Sequence, residues 1–130
     1  MGKKILIIDD EPDVASFFRT ILEDQGHTIL AASDASEGME RLREGSPDLI
    51  LLDLVMPGKT GVQFFGELKK DDRFKDIPII LVTGIGNEMG GDHRKFFEGL
   101  RSRVPAAYLE KPVDAATLLK TVNRVLAVQG

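Results

Sequence analysis

Short apolar runs separated by longer stretches of mixed polarity organise this chain. Five of them, at 4–8, 27–32, 49–53, 77–82 and 106–109, have the length of single strands. Ile5-Leu6-Ile7-Ile8 and Leu49-Ile50-Leu51-Leu52 are continuously apolar rather than alternating, the mark of parallel strands covered on both faces. Between the runs apolar residues recur at helical spacing, so strands and helices alternate as in βαβ units. The spacing predicts a helix over 12–25, with Pro12 in its first turn and Gly26 as a left-handed stop. Val14, Phe17, Phe18, Ile21 and Leu22 form its apolar face. A second helix is expected from an N-cap at Asp34 through Met39 and Leu42 to Gly45, where Ser46-Pro47 prevents continuation, and a third over 61–70. The last starts from an N-cap at Asp114 and sets Leu118, Leu119, Val122, Val125 and Leu126 on one stripe. The architecture that follows is α/β: a five-stranded parallel sheet with helices on its faces.

Length and composition narrow the function. At 130 residues the chain is expected to be one domain, too short for a second core. The lack of cysteine excludes disulfides, thiolate metal sites and thiol catalysis. Lys3-Lys4 precede only four apolar residues before Asp9-Asp10-Glu11, short of the roughly 7–15 that a secretory signal needs. No other stretch approaches the roughly 20 apolar residues of a bilayer span, so a cytoplasmic protein with no membrane insertion is expected. The net charge of −4 argues against general nucleic-acid binding by long-range electrostatics. Residues 1–65 hold 12 acids and 6 bases, and residues 66–130 hold 9 acids and 11 bases. A solvated surface accounts for that mildly basic half as readily as a partner-binding face does. Without a linker, repeat or low-complexity tail, no separate effector domain is expected. The one irregular segment is 84–105, where Gly84, Gly86, Gly90 and Gly91 precede Asp92-His93-Arg94-Lys95-Phe96-Phe97, a loop leading into a helix.

The chemistry sits where the apolar runs end. Asp9-Asp10 close the first run and Asp53 closes the third, and the carboxyl ends of parallel strands open into the crevice where such folds bind ligands. Three acids there repel one another unless a cation lies among them, which points to a hard metal such as Mg²⁺ and to chemistry on an oxyanion. Thr83 ends Ile79-Ile80-Leu81-Val82 and offers a hydroxyl donor, and Lys111-Pro112 follows the fifth run and offers an ammonium.

Asp9-Asp10, Asp53 with Met56-Pro57 and Gly61, Thr83, and Lys111-Pro112 together resemble the receiver domain of two-component response regulators, over nearly the whole chain. The resemblance implies a doubly wound, flavodoxin-like sheet of strand order 2-1-3-4-5. It implies that Asp53 accepts a phosphoryl group from a histidine kinase or histidine phosphotransfer protein, with Mg²⁺ required. Asp10 and Asp53 would bind the metal directly, Asp9 through a water, and Val55 through its backbone carbonyl. Lys111 and Thr83 would meet the phosphoryl oxygens, and Thr83 with Tyr108 would switch a surface read by a downstream effector. The Lys111–Pro112 peptide would be cis. Tyr108 also fits as a half-buried strand aromatic with a wet hydroxyl. The protein would be a monomer or a phosphorylation-dependent dimer, and would catalyse only its own phosphorylation and dephosphorylation. Elementary chemistry agrees: a carboxylate can attack a phosphoryl group once the charge opposing their approach is neutralised.

Two features depart from the family pattern. Lys111 follows Thr83 by 28 positions, several more than usual, so the enlarged 84–105 segment leaves the effector-binding geometry open. Val55 and Ile85, two positions after Asp53 and Thr83, are apolar and offer a hydrolytic water no hydrogen bond, so slow self-dephosphorylation is expected. Gly58-Lys59-Thr60 is no P-loop, because Asp53 stands where the first glycine belongs. His27 and His93 lack zinc-site spacing, and Phe96, Phe97 and Leu100 are expected on the packed side of the inserted helix. Two other functions compete: a vestigial receiver acting as a constitutive binding module, and a Mg²⁺-dependent aspartyl-phosphate phosphatase. The phosphatase lacks its usual second aspartate, since Val55 stands there.

Overall fold

The computed structural model describes residues 2–56, 58–84 and 105–129. Within them β1 (Lys4–Ile8), β2 (Thr28–Ala32), β3 (Leu49–Asp53), β4 (Ile79–Thr83) and β5 (Ala107–Glu110) form one parallel sheet of order β2-β1-β3-β4-β5. The helices are α1 (Pro12–Asp24), α2 (Ala35–Glu44), α3 (Gly61–Lys70) and α4 (Ala115–Gln129). This is the flavodoxin-like order expected from the sequence, with strand ends shifted by one or two residues. The expectations placed on Pro57, Ile85, His93, Phe96, Phe97 and Leu100 lie outside the described residues.

The continuous apolar runs have a simple cause. Successive strand side chains face opposite sides of the sheet, and here both sides are covered. Ile5, Ile7, Leu49, Leu51, Ile80 and Val82 pack with Phe18 and Leu22 of α1 and Leu118, Val122 and Val125 of α4. Leu6, Ile8, Ile50, Leu52, Ile79 and Leu81 pack with Leu42 of α2 and Phe64, Phe65 and Leu68 of α3. The edge strand β5 buries only Ala107 and Leu109, with Tyr108 and Glu110 exposed, so its pattern alternates. On α1 the sequence stripe is wider than the sheet can cover. Phe18 and Leu22 are buried and Val14 and Ile21 partly so. Phe17, at the edge of the stripe, is 44% exposed with its ring tilted against Phe18.

Local signals start and stop the helices. Pro12 occupies the first turn of α1, and Gly26 follows the helix with φ +91°, a conformation that L side chains resist. Asp34 accepts the Glu37 N–H at 2.8 Å and Asp114 accepts the Thr117 N–H at 2.7 Å, both as N-caps. Thr60 and Gln63 form a reciprocal capping box on α3. That box holds the start of α3 against the end of β3, where the Gly61 N–H donates to Leu54 O at 2.9 Å. No helix among the described residues is long and apolar enough to cross a membrane.

Gly61 is the tightest of these junctions. A Cβ there would lie 2.1 Å from the Asp53 carbonyl oxygen and 2.7 Å from Leu54 Cα, both backbone atoms that cannot swing away. Gly61→Ala is expected to lower stability by about 1–3 kcal/mol, read as a lower urea midpoint at unchanged slope. A wild-type midpoint would show that the junction relaxes freely.

Candidate functional site

The sheet register brings the acids together. β1 and β3 pair Ile5 with Leu49 and Ile7 with Leu51, and two residues further along the same rows stand Asp9 and Asp53. Backbone pairing continues just past the strands: Asp9 N–H donates to Ala32 O at 3.0 Å, Leu54 N–H to Val82 O at 3.0 Å and Lys111 N–H to Thr83 O at 2.6 Å. These bonds fix where each functional side chain departs. The site lies beyond the carboxyl ends of β1 and β3, where the strand order reverses direction, the position at which open α/β sheets bind ligands.

Asp9 and Asp53 are 4% and 3% exposed, Thr83 is buried at the end of β4, and Asp10 faces solvent. One carboxylate oxygen from each of Asp9, Asp10 and Asp53 lies within 4.8 Å of the others. The Lys111 ammonium enters from the loop after β5, beside the cis Lys111–Pro112 peptide. It stands 3.6 Å from Asp53 Oδ2, 3.3 Å from Asp9 Oδ2 and 2.5 Å from Glu11 Oε1. Asp53 Oδ1 accepts the Val55 N–H at 3.3 Å, and Asp9 Oδ1 accepts the Glu11 N–H at 2.9 Å. Val55 itself is 48% exposed at the rim.

Electrostatics make the cluster unstable by itself. Burial, followed by the charge of Asp9, pushes the Asp53 carboxyl up to about 7, against the opposing pull of Lys111. Burial also raises Asp9, offset in part by the Glu11 N–H and Lys111. Burial pulls Lys111 down, but its hydrogen bond to Glu11 and the charges of Asp9, Asp53 and Glu11 outweigh that, and its pKa is raised. Asp9 Oδ2 is buried without a hydrogen-bond partner, a costly state for a carboxylate oxygen. A hard cation between the three aspartates would satisfy that oxygen and relieve their repulsion. The all-oxygen donor set suits Mg²⁺, with Asp9, Asp10 and Asp53 as the groups brought together to hold it.

The site residues expected from the sequence fall into two groups. Asp9, Asp10, Asp53 and Lys111 converge. Thr83 stands at the adjacent strand end, with Val82 paired to Asp53. Tyr108 lies lower on β5, opposite Leu81 and 39% exposed. Glu11 was not singled out from the sequence. It meets Lys111 across 100 positions of chain, a separation for which no local motif exists; its only signal is its place directly after Asp9-Asp10.

Comparison with known proteins agrees with this geometry. The family model for the response regulator receiver domain matches residues 5–123. Protein PilH of Pseudomonas aeruginosa is 41% identical over 124 residues, covering 95% of this chain and 98% of that protein. The phosphate regulon transcriptional regulatory protein PhoB of Escherichia coli is 36% identical over 126 residues, covering 97% of this chain and 52% of PhoB. The chain thus spans about half the length of PhoB and nearly all of PilH. The structure of the chemotaxis response regulator CheY4 of Vibrio cholerae superposes with a TM-score of 0.82 at 27% identity, covering 96% of this chain and 99% of that one.

The raised Asp53 pKa has a signed consequence for the metal-free protein. Between its ordinary value of 3.8 and about 7 the folded chain holds more protons at Asp53 than the unfolded chain does. This contribution to stability is therefore complete below the lower value and lost as pH rises through the upper one. Asp53→Asn is expected to raise the metal-free melting temperature by several degrees at about pH 8 and much less at about pH 5, followed by calorimetry. Equal gains at both pH values would contradict the shift.

Proposed function

We infer that this chain, which belongs to the response regulator receiver family, uses Asp53 as the acceptor of a phosphoryl group from a phosphohistidine. The observation that carries this reading is the burial of Asp53 between Asp9 and the Lys111 ammonium. That setting disfavours a lone carboxylate and rewards one whose charge is taken up by a ligand. The donor in this reading is a histidine kinase or histidine phosphotransfer protein, and the chain acts in the cytoplasm as a signalling phosphoacceptor, a monomer or a dimer formed on phosphorylation.

In the transfer step a carboxylate oxygen of Asp53 forms a bond to phosphorus while the P–N bond to the donor imidazole breaks. The electron pair leaves with the imidazole nitrogen, which takes up a proton. The Lys111 ammonium, already 3.6 Å from Asp53, turns to the phosphoryl oxygens as their charge becomes fixed beside it. Asp9, Asp10, Asp53 and the Val55 carbonyl would hold Mg²⁺, which when bound supplies the charge neutralisation that lets carboxylate and phosphoryl group approach. The Thr83 hydroxyl donates to a phosphoryl oxygen, and Tyr108 on neighbouring β5 couples that contact to a surface read by an effector. Release is hydrolysis: water attacks phosphorus, the bond to the Asp53 oxygen breaks, and carboxylate and inorganic phosphate are restored.

Incubation with a small phosphodonor such as phosphoramidate is expected to add one phosphoryl group, seen by intact-protein mass. The adduct requires Mg²⁺ and disappears with chelator or in Asp53→Asn. No Asp53-dependent adduct would return the chain to the reading of a vestigial receiver.

The rim predicts a long-lived product, since the apolar Val55 side chain gives an attacking water no partner. The purified phosphoprotein should keep its phosphoryl group for minutes or longer, and Val55→Asn should shorten that lifetime. Decay within seconds in the wild type would refute the expectation.

A further inference from the structure

Of the three carboxylates around the Lys111 ammonium, Glu11 makes the shortest contact. The Lys111 ammonium is hydrogen-bonded to Glu11 Oε1 at 2.5 Å, whereas Asp9 and Asp53 stand at 3.3 and 3.6 Å. A charge-assisted N–H···O bond ordinarily measures about 2.7–2.9 Å. The lysine is thus engaged most closely by the outer carboxylate, with longer ion pairs to the two inner ones. Asp9 Oδ2 remains without a hydrogen-bond partner although Lys111 faces it.

Two further observations bear on how Glu11 is placed for this contact. Its N–H is fixed by Asp9 Oδ1 at 2.9 Å, so its backbone is tied to the site itself. It also occupies the N-cap position of α1 without using its side chain as a cap, although helices favour a short oxygen-bearing side chain there. The carboxylate is 58% exposed and the Lys111 side chain 16%, so the contact spans the rim between solvent and the buried acids.

We propose that Glu11 is a positioning residue for phosphoryl transfer, a latch that holds the Lys111 ammonium at the rim until a phosphoryl group competes for it. The proposal rests on the phosphoacceptor reading of Asp53. In the unmodified chain the ammonium is shared outward, so the incoming group must break the Glu11 contact before Lys111 can neutralise it. Glu11 therefore slows phosphorylation and stabilises the resting state.

The latch is tested with Glu11→Gln, which keeps size and removes charge. The side-chain ¹⁵N signal of Lys111, assigned by its loss in Lys111→Met, is followed in metal-free protein, and the rate of Asp53 phosphorylation by phosphoramidate is measured with Mg²⁺. The latch requires the Lys111 ammonium protons to exchange faster in Glu11→Gln and phosphorylation to accelerate by about twofold to fivefold, the range that a partly exposed ion pair allows. A faster rate with an unchanged lysine signal would mean through-space charge alone and overturns the proposal. So does an unchanged or slower rate. Wild-type protein that takes no phosphoryl group sinks the phosphoacceptor reading instead, while the lysine signal still reports on the Glu11 contact.

Discussion

Asp9 and Asp53 are set side by side by the register of β1 and β3, both are buried, and one ammonium among the described residues lies within 4 Å of them. Like charges in a poorly solvated place raise each other's pKa, and Asp53, pushed to about 7, bears that cost. Much of the surrounding structure bears on this repulsion. Lys111 is brought in from the far edge of the sheet, Asp9 and Asp53 each accept a backbone N–H, and the remaining bare oxygen of Asp9 leaves a place that a hard cation satisfies. A site that is uncomfortable when short of positive charge is one whose properties change when a cation enters.

The fold can hold such a cluster because the sheet beneath it is apolar on both faces. Rows of Ile and Leu on β1, β3 and β4 are sealed by α1 and α4 on one side and by α2 and α3 on the other, and burial at this density resists displacement. The loops that bear chemistry begin within one residue of that rigid layer. The Gly61 junction brings α3 against the carbonyl of Asp53 itself, so helix packing and the position of Asp53 are mechanically one feature. Glu11 and Lys111 meet at the rim, where an exposed carboxylate touches a largely covered ammonium outside the packed core.

Much of this was legible in the chain because it depends on local pattern. Continuous apolar runs mark strands covered on two faces, and helix caps at Asp34 and Asp114 and the stop at Gly26 are short-range chemistry; each appears where the sequence places it. The acids were visible because each directly follows an apolar run. Phe17 belongs to the apolar stripe of α1 yet is 44% exposed, because periodicity gives the direction of a side chain but not the width of the surface waiting to cover it. The capping box of Thr60 and Gln63 is equally local, set by two residues three positions apart.

By itself the sequence determined the order of strands and helices, the absence of thiol chemistry, and the set of acids, lysine and threonine that close the apolar runs, since these follow from side-chain type and spacing of a few residues. Tertiary structure alone decided the level at which Asp9 meets Asp53, the burial that raises their pKa, and the reach of Lys111 to Glu11 across 100 positions. Those depend on the register between strands and on which loops share an edge of the sheet. Such distances and dielectric surroundings exist only once the chain has closed on itself.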